Sequence, residues 1–121
     1  MSDRDWLVLI EDIQRSCGKI LRYTKNMNSL EEFVRDEKTV DAVIRNLEVI
    51  GEAAKRIPQD IRARYGSIPW RAIAGLRDVL IHGYASVNYR IVWDIVENEV
   101  PALKDELDRI LKEHGAKDEG A

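Results

Sequence analysis

Apolar residues return along this chain at alternating intervals of four and three, and nowhere do they alternate with polar residues at the strand period of two. Trp6, Ile10, Ile13, Cys17 and Ile20 set the first series; the next position in step holds Thr24, and Leu21 and Tyr23 extend the apolar face. The spacing predicts a first helix from about Asp3 to Lys25, with Asp3 as its N-cap and Asn26, Met27 and Asn28 ending the pattern. Ser29 followed by Glu32 is a capping box, which predicts a short turn of helix from Leu30 to Arg35. Val40, Val43, Ile44, Leu47, Ile50, Ala54 and Ile57 define a second long helix from about Glu37 to Arg56, stopped by Pro58. Gly51 sits inside it, followed by Ala53 and Ala54, and gives it a low profile where another helix can approach closely.

Ile61 and Tyr65 belong to a short helical segment before Gly66. Pro69 suits the first residue of a third helix carrying Trp70, Ile73, Leu76, Leu80 and Ile81, with Gly83 as its C-terminal cap. Ser86 or Asn88 caps the last helix, whose expected inner face is Ile91, Ile95, Val96, Val100, Leu103, Leu107, Ile110 and Leu111. Pro101 interrupts that pattern and predicts a kink, or two abutting helices, near Glu97 to Pro101; after Gly115 the pattern frays. The fold class expected is therefore all-α, an up-and-down four-helix bundle with one or two extra short helices. It forms a single domain over residues 1–115, and a polar tail covers 116–121.

With 121 residues there is room for one core and no second domain. The longest apolar run near the N-terminus, WLVLI at 6–10, is too short for a signal-peptide core or a membrane span, so the expected location is the cytoplasm, away from any membrane. Cys17 has no partner for a disulfide, and one cysteine with two histidines does not make an ordinary structural zinc site; neither metal nor cofactor is expected.

A net charge of −3 argues against nucleic-acid binding by bulk positive charge. The distribution is more informative. Residues 56–90 hold six arginines (Arg56, Arg62, Arg64, Arg71, Arg77 and Arg90) against Asp60 and Asp78, a local balance of +4 without a lysine. Charge runs are commonly solvated faces. An all-arginine patch also fits a phosphodiester, because the planar guanidinium engages phosphate oxygens in pairs; Arg71 and Arg90 are the candidate phosphate-binding residues outside the motif.

Inside the patch lies RDVLIHGY, residues 77–84. On a continuous helix Arg77 and His82 stand about 140° apart around the axis and roughly 7.5 Å along it. If the helix ends at Gly83, His82 can turn toward the rim that Arg77 occupies, and Tyr84 can lean back over both. A histidine favoured by a helix C-terminus, beside a half-buried tyrosine, accounts for the same residues without any chemistry. His82 is nonetheless the candidate for proton transfer near neutral pH, because His114, the other histidine, reads as a helix C-terminal charge in the polar tail. Asn46 and Glu52 are candidates for lining the same cleft, although Glu52 is also spaced to pair with Arg56.

The octamer resembles the Arg, four residues, His, any residue, Tyr signature of the HEPN superfamily, and in particular its HepT-like branch. RNLEVIGEAAKRIP at 45–58 and IPWRAIAGLRD at 68–78 are similar to the segments that accompany it. The resemblance implies a metal-independent endoribonuclease acting as a homodimer, the toxin of a toxin and antitoxin pair. Arg77 and His82 would be the catalytic residues, Asp78 a supporting group, and Tyr84 the hydroxyl to which a separate nucleotidyltransferase antitoxin transfers AMP. Two alternatives fit the same residues. One is a non-catalytic helical subunit that binds a nucleotide or RNA for such a nucleotidyltransferase, and the other is an interaction bundle whose motif is a helix cap.

Overall fold

A computed structural model describes residues 3–81 and 87–120, with the side chains of all but Asp3, Arg4, Arg77, Val79, Ile81 and 116–120. Among the described residues the amphipathic stretches form eight α-helices and one π-helical segment, with no strand. They are α1 (Asp3–Tyr23), α2 (Leu30–Arg35), α3 (Glu37–Lys55), α4 (Gln59–Arg64), α5 (Trp70–Ala74), α6 (Leu76–Ile81), α7 (Tyr89–Asp94), the π segment (Ile95–Glu99) and α8 (Val100–Gly120). Helix α1 packs between α3 and α8, while α5 and α6 lie on the other flank of α3, and α2 bridges α3 and α7. This is the helical bundle that the periodicity predicts.

Most residues of the predicted stripes are buried, joined in the core by Leu9, Phe33 and Ile68, while Ile44, Leu103 and Leu111 are only partly buried. Trp6, Ile10, Ile13, Cys17 and Ile20 of α1 meet Val43, Leu47, Ile50 and Ala54 of α3, and Leu107 and Ile110 of α8, all buried. Each large side chain so buried contributes about 1.5–3 kcal/mol from removal of apolar surface from water. Two details differ from expectation. Thr24 is the buried residue in step with the first stripe, its hydroxyl donating to the Ile20 carbonyl at 2.9 Å, whereas Tyr23 is exposed. On α7 the core takes Val92 and Trp93, which stacks obliquely on Phe33 with ring centroids 5.2 Å apart, and leaves Ile91 41% exposed.

The helix ends follow local chemistry. The Ser29 hydroxyl accepts the Glu32 N–H at 3.2 Å, and the Glu32 carboxylate accepts the N–H of Asn28 at 3.1 Å, one residue before the usual capping-box target. The Asp36 carboxylate caps α3 by accepting the Thr39 N–H at 3.1 Å; that bond, then the Thr39 hydroxyl, holds its carboxyl below the usual carboxylate range. Of the two caps expected for the last helix, Asn88 accepts the Ile91 N–H at 3.2 Å, and Ser86 lies outside the described residues. Asp3 begins α1 as its first helical residue.

Pro101 produces a change of winding rather than a gap. It has no N–H to offer the Glu97 carbonyl, and just before it the chain widens into the π segment, where the Val100 N–H reaches back to the Ile95 carbonyl. The rod from α7 through α8 stays continuous and keeps Val96 and Val100 buried. It runs on to Gly120, past Gly115 where the sequence pattern suggested fraying. Among the described residues no helix is long and apolar enough to cross a membrane.

Candidate active site

The expected third helix is two. Helix α5 ends at Ala74, Gly75 stands between with φ −85° and ψ −1°, and α6 starts at Leu76. The division is where α3 presents Gly51. A Cβ on Gly51 would meet the Ile73 carbonyl oxygen at 3.2 Å, the Leu76 Cβ at 3.7 Å and the Ala74 carbonyl oxygen at 3.8 Å. The glycine thus seats the α5–α6 junction against α3, as its place in a low-profile stretch predicted. Ile73 and Leu80 are buried on either side of the junction and set the rotation of α6. Arg77 and Asp78 therefore sit in the first turn of a helix whose position is dictated by a glycine and two core side chains.

Asp78 is exposed, and its N–H donates to the Gly75 carbonyl at 3.0 Å. Arg71 on α5 and Arg90 on α7 are exposed as well. Among the described residues no ion pair engages Asp78, Arg71 or Arg90. His82, Gly83 and Tyr84 lie outside the described residues, as does the Arg77 side chain.

Other members of the arginine patch are explained by the fold. Arg62 donates from Nε to the Ile57 carbonyl at 3.0 Å and from Nη2 to the Ala54 and Lys55 carbonyls, both at 2.9 Å. It ties off the Lys55 and Ile57 carbonyls, which have no backbone donor among the described residues, and adds a bond to the Ala54 carbonyl, which also accepts the Arg56 and Ile57 N–H groups; it is a structural cap and not a free phosphate ligand. Glu52 and Arg56 form no ion pair, and Glu52 lines a shallow groove between α1 and α3 with Asp12, Arg45 and Glu48, apart from α6. Asn46 is buried and donates from its amide nitrogen to the Ala42 carbonyl of its own helix at 2.8 Å.

His114 departs from the reading as a tail charge. Its Nε2 lies 3.0 Å from the Tyr65 hydroxyl, and its ring meets Trp6 edge to face with centroids 5.0 Å apart. The contact joins α8 to the turn after α4 and leaves His114 far along the chain from the motif.

Beside α6 an open groove of about 490 Å³ separates α5 and α6 from the α7–α8 rod. Ile68, Pro69, Ile73, Leu76, Ile91 and Leu103 make its walls apolar, and Asp94, Glu99 and Glu106 stand along it. Sequence reasoning missed it because Ile91 and Leu103 had been assigned to the core face; the signal was a run of three apolar residues, Ile91 to Trp93, too wide for one helical stripe.

The chain matches the family described as Ribonuclease HepT-like over residues 13–110. It is 43% identical over 121 residues to "Putative RNase MJ0127" of Methanocaldococcus jannaschii, covering 100% of this chain and 99% of the relative. It is 44% identical over 121 residues to "Putative RNase MJ1216" of the same organism, again with 100% and 99% covered. Against "Probable ribonuclease HepT" of Thermococcus cleftensis it is 41% identical over 111 residues, 92% of this chain and 97% of the relative. No solved structure matches it significantly. An all-helical bundle that carries RDVLIHGY from its sixth helix, matched across nearly its whole core to one family, places the chain among the HepT-like ribonucleases of the HEPN superfamily.

Proposed function

We propose that the chain is a metal-independent endoribonuclease that cleaves RNA by attack of a ribose 2′-hydroxyl on the adjacent phosphodiester. His82 takes the 2′-hydroxyl proton, the 2′-oxygen bonds to phosphorus, and the 5′-oxygen leaves with a proton, giving a 2′,3′-cyclic phosphate and a 5′-hydroxyl. Arg77 binds the scissile phosphate and opposes the charge that grows on its oxygens. Asp78 orients the pair, and Arg71 and Arg90 hold flanking phosphates. The observation that carries this reading is the octamer itself, within the region matched to the family and starting on a helix whose seat Gly51 defines.

One chain supplies one motif histidine, so the leaving-group proton needs a second source. A homodimer that brings two copies of the motif together answers this. What supports the pairing is the apolar groove that Leu76, the residue before Arg77, helps to line. Regulation follows from Tyr84. A separate nucleotidyltransferase antitoxin that attaches AMP to its hydroxyl would put a bulky anion into the phosphate site and silence this toxin.

The test is cleavage of RNA with divalent ions chelated. His82→Ala is expected to lower the rate by about 10²- to 10⁴-fold with the helical spectrum and association state unchanged, and to abolish growth inhibition. Undiminished cleavage by His82→Ala, or cleavage that needs added metal, overturns the assignment.

A further inference from the structure

A second basic constellation lies on α1 and α8, and none of its described lining residues belongs to α6. Between α1 and α8 runs an open groove of about 570 Å³, lined among others by Gln14, Arg15, Gly18, Arg22, Lys104 and His114. Its floor is Gly18. A Cβ there would lie 3.8 Å from Nη1 of Arg22 and 3.9 Å from Cε of Lys104, so two cations from neighbouring helices reach over one bare stretch of backbone. Both distances are ordinary van der Waals contacts to flexible side chains. Packing does not demand glycine here, unlike at Gly51, and glycine within a helix is less stable than alanine.

The cations are available to a ligand. Among the described residues no acid pairs with Arg22. Arg15 faces Asp12 at 3.3 Å and Lys104 faces Asp108 at 2.8 Å, and every partner is about a third or more exposed, so both pairs are weak and exchangeable for a stronger anion. Among the described residues Glu11 is the carboxylate lining the groove, with Asp108 bonded to Lys104 and Gln14 beside it, against Arg15, Arg22 and Lys104. Farther along, Leu7 and Leu111 give the groove an apolar wall beside His114. Lys104 and Leu111 are seven residues apart, roughly 10 Å along α8, so charge and apolar surface follow one another at the scale of a nucleotide.

We infer that this groove is a second contact for single-stranded RNA, with a phosphodiester held between Arg22 and Lys104 over Gly18 and the adjoining base against Leu7 and Leu111. The inference rests on the chain being a ribonuclease but not on its mechanism. The groove lies on α1 and α8, across α3 from the motif helix, so it would hold the strand away from the point of cleavage and favour longer substrates over short ones.

The experiment uses a 2′-O-methyl oligonucleotide, which cannot be cleaved by 2′-hydroxyl attack, and follows its binding by fluorescence anisotropy at several salt concentrations. Arg22→Ala is expected to weaken binding about three- to tenfold and to reduce the log–log salt slope by about 0.7, the value for one phosphate contact on a single strand. Gly18→Glu places a carboxylate four residues before Arg22, a favourable helix pair, so it should raise the melting temperature while weakening RNA binding at least as much. Unchanged affinity and slope in both variants overturn the inference. Inorganic phosphate or AMP binding as tightly as the oligonucleotide would overturn the assignment to a strand. Cleavage that persists alongside Arg22-independent binding removes this site and leaves the nuclease reading intact; Arg22-dependent binding without any cleavage does the reverse.

Discussion

Gly18 and Gly51 occupy helix interiors of similar sequence character and are opposites in space. Gly51 meets a backbone carbonyl at 3.2 Å from its virtual Cβ, and Gly18 meets nothing closer than 3.8 Å. Gly51→Ala must therefore push α3 from the α5–α6 junction and is expected to destabilise the protein by about 1–3 kcal/mol, as overpacking does. Gly18→Ala should stabilise it by roughly 0.5–1 kcal/mol. Urea melts of the two variants check both signs. Cys17 shows burial acting on chemistry: enclosure pushes its thiol up to about 12 from 9.0, against a smaller opposing pull from Lys104. The thiol's folded value lies above its unfolded one, so its contribution to stability is complete below pH 9.0 and is lost as pH rises toward 12. A native protein unreactive to a thiol reagent at neutral pH, and reactive at one site per chain in urea, is the expected result.

At the scale of elements, the caps were readable wherever a side chain bonds within four residues. Ser29, Asp36 and Asn88 each accept an N–H three positions on. Asp36 follows the same rule as Ser29 and Asn88, with Thr39 rather than an acid or amide at the third position to mark it. Arg62 was different. Its carbonyl partners lie five to eight residues back across the Pro58 turn, so only the turn's geometry reveals it as the cap of α3. Arg62→Ala should cost on the order of 2 kcal/mol by leaving the Lys55 and Ile57 carbonyls without donors. Arg71→Ala, at an exposed position without an ion pair, should leave stability within about 0.5 kcal/mol of wild type. Thermal melts of the two distinguish a structural arginine from one free to meet a ligand. The split between α5 and α6 belongs here too: a continuous helix satisfied the apolar stripe, and the close approach of α3 at Gly51 accompanies the break.

Across the whole molecule, α8 is held on α1 by Gln14 donating to Asp108 at 2.7 Å and at its far end by His114 against Tyr65 and Trp6. Tyr65→Phe keeps the ring and removes the hydroxyl, and should cost about 1 kcal/mol, read as a lower urea midpoint with the same slope. The sequence by itself determined the helical class, the stretches that become helices, most of the buried stripes and the motif, because period, caps and turn residues are short-range properties that survive without neighbours. Tertiary structure alone decided which of three adjacent apolar residues on α7 stays outside the core, which arginines are spent on backbone carbonyls, and that His114 joins an aromatic cluster. It also decided that Arg22 and Lys104, 82 positions apart in the chain, lean over the same glycine. Those outcomes depend on which helix lies against which face, and contacts between distant segments are fixed by the packing of the whole core rather than by any local pattern.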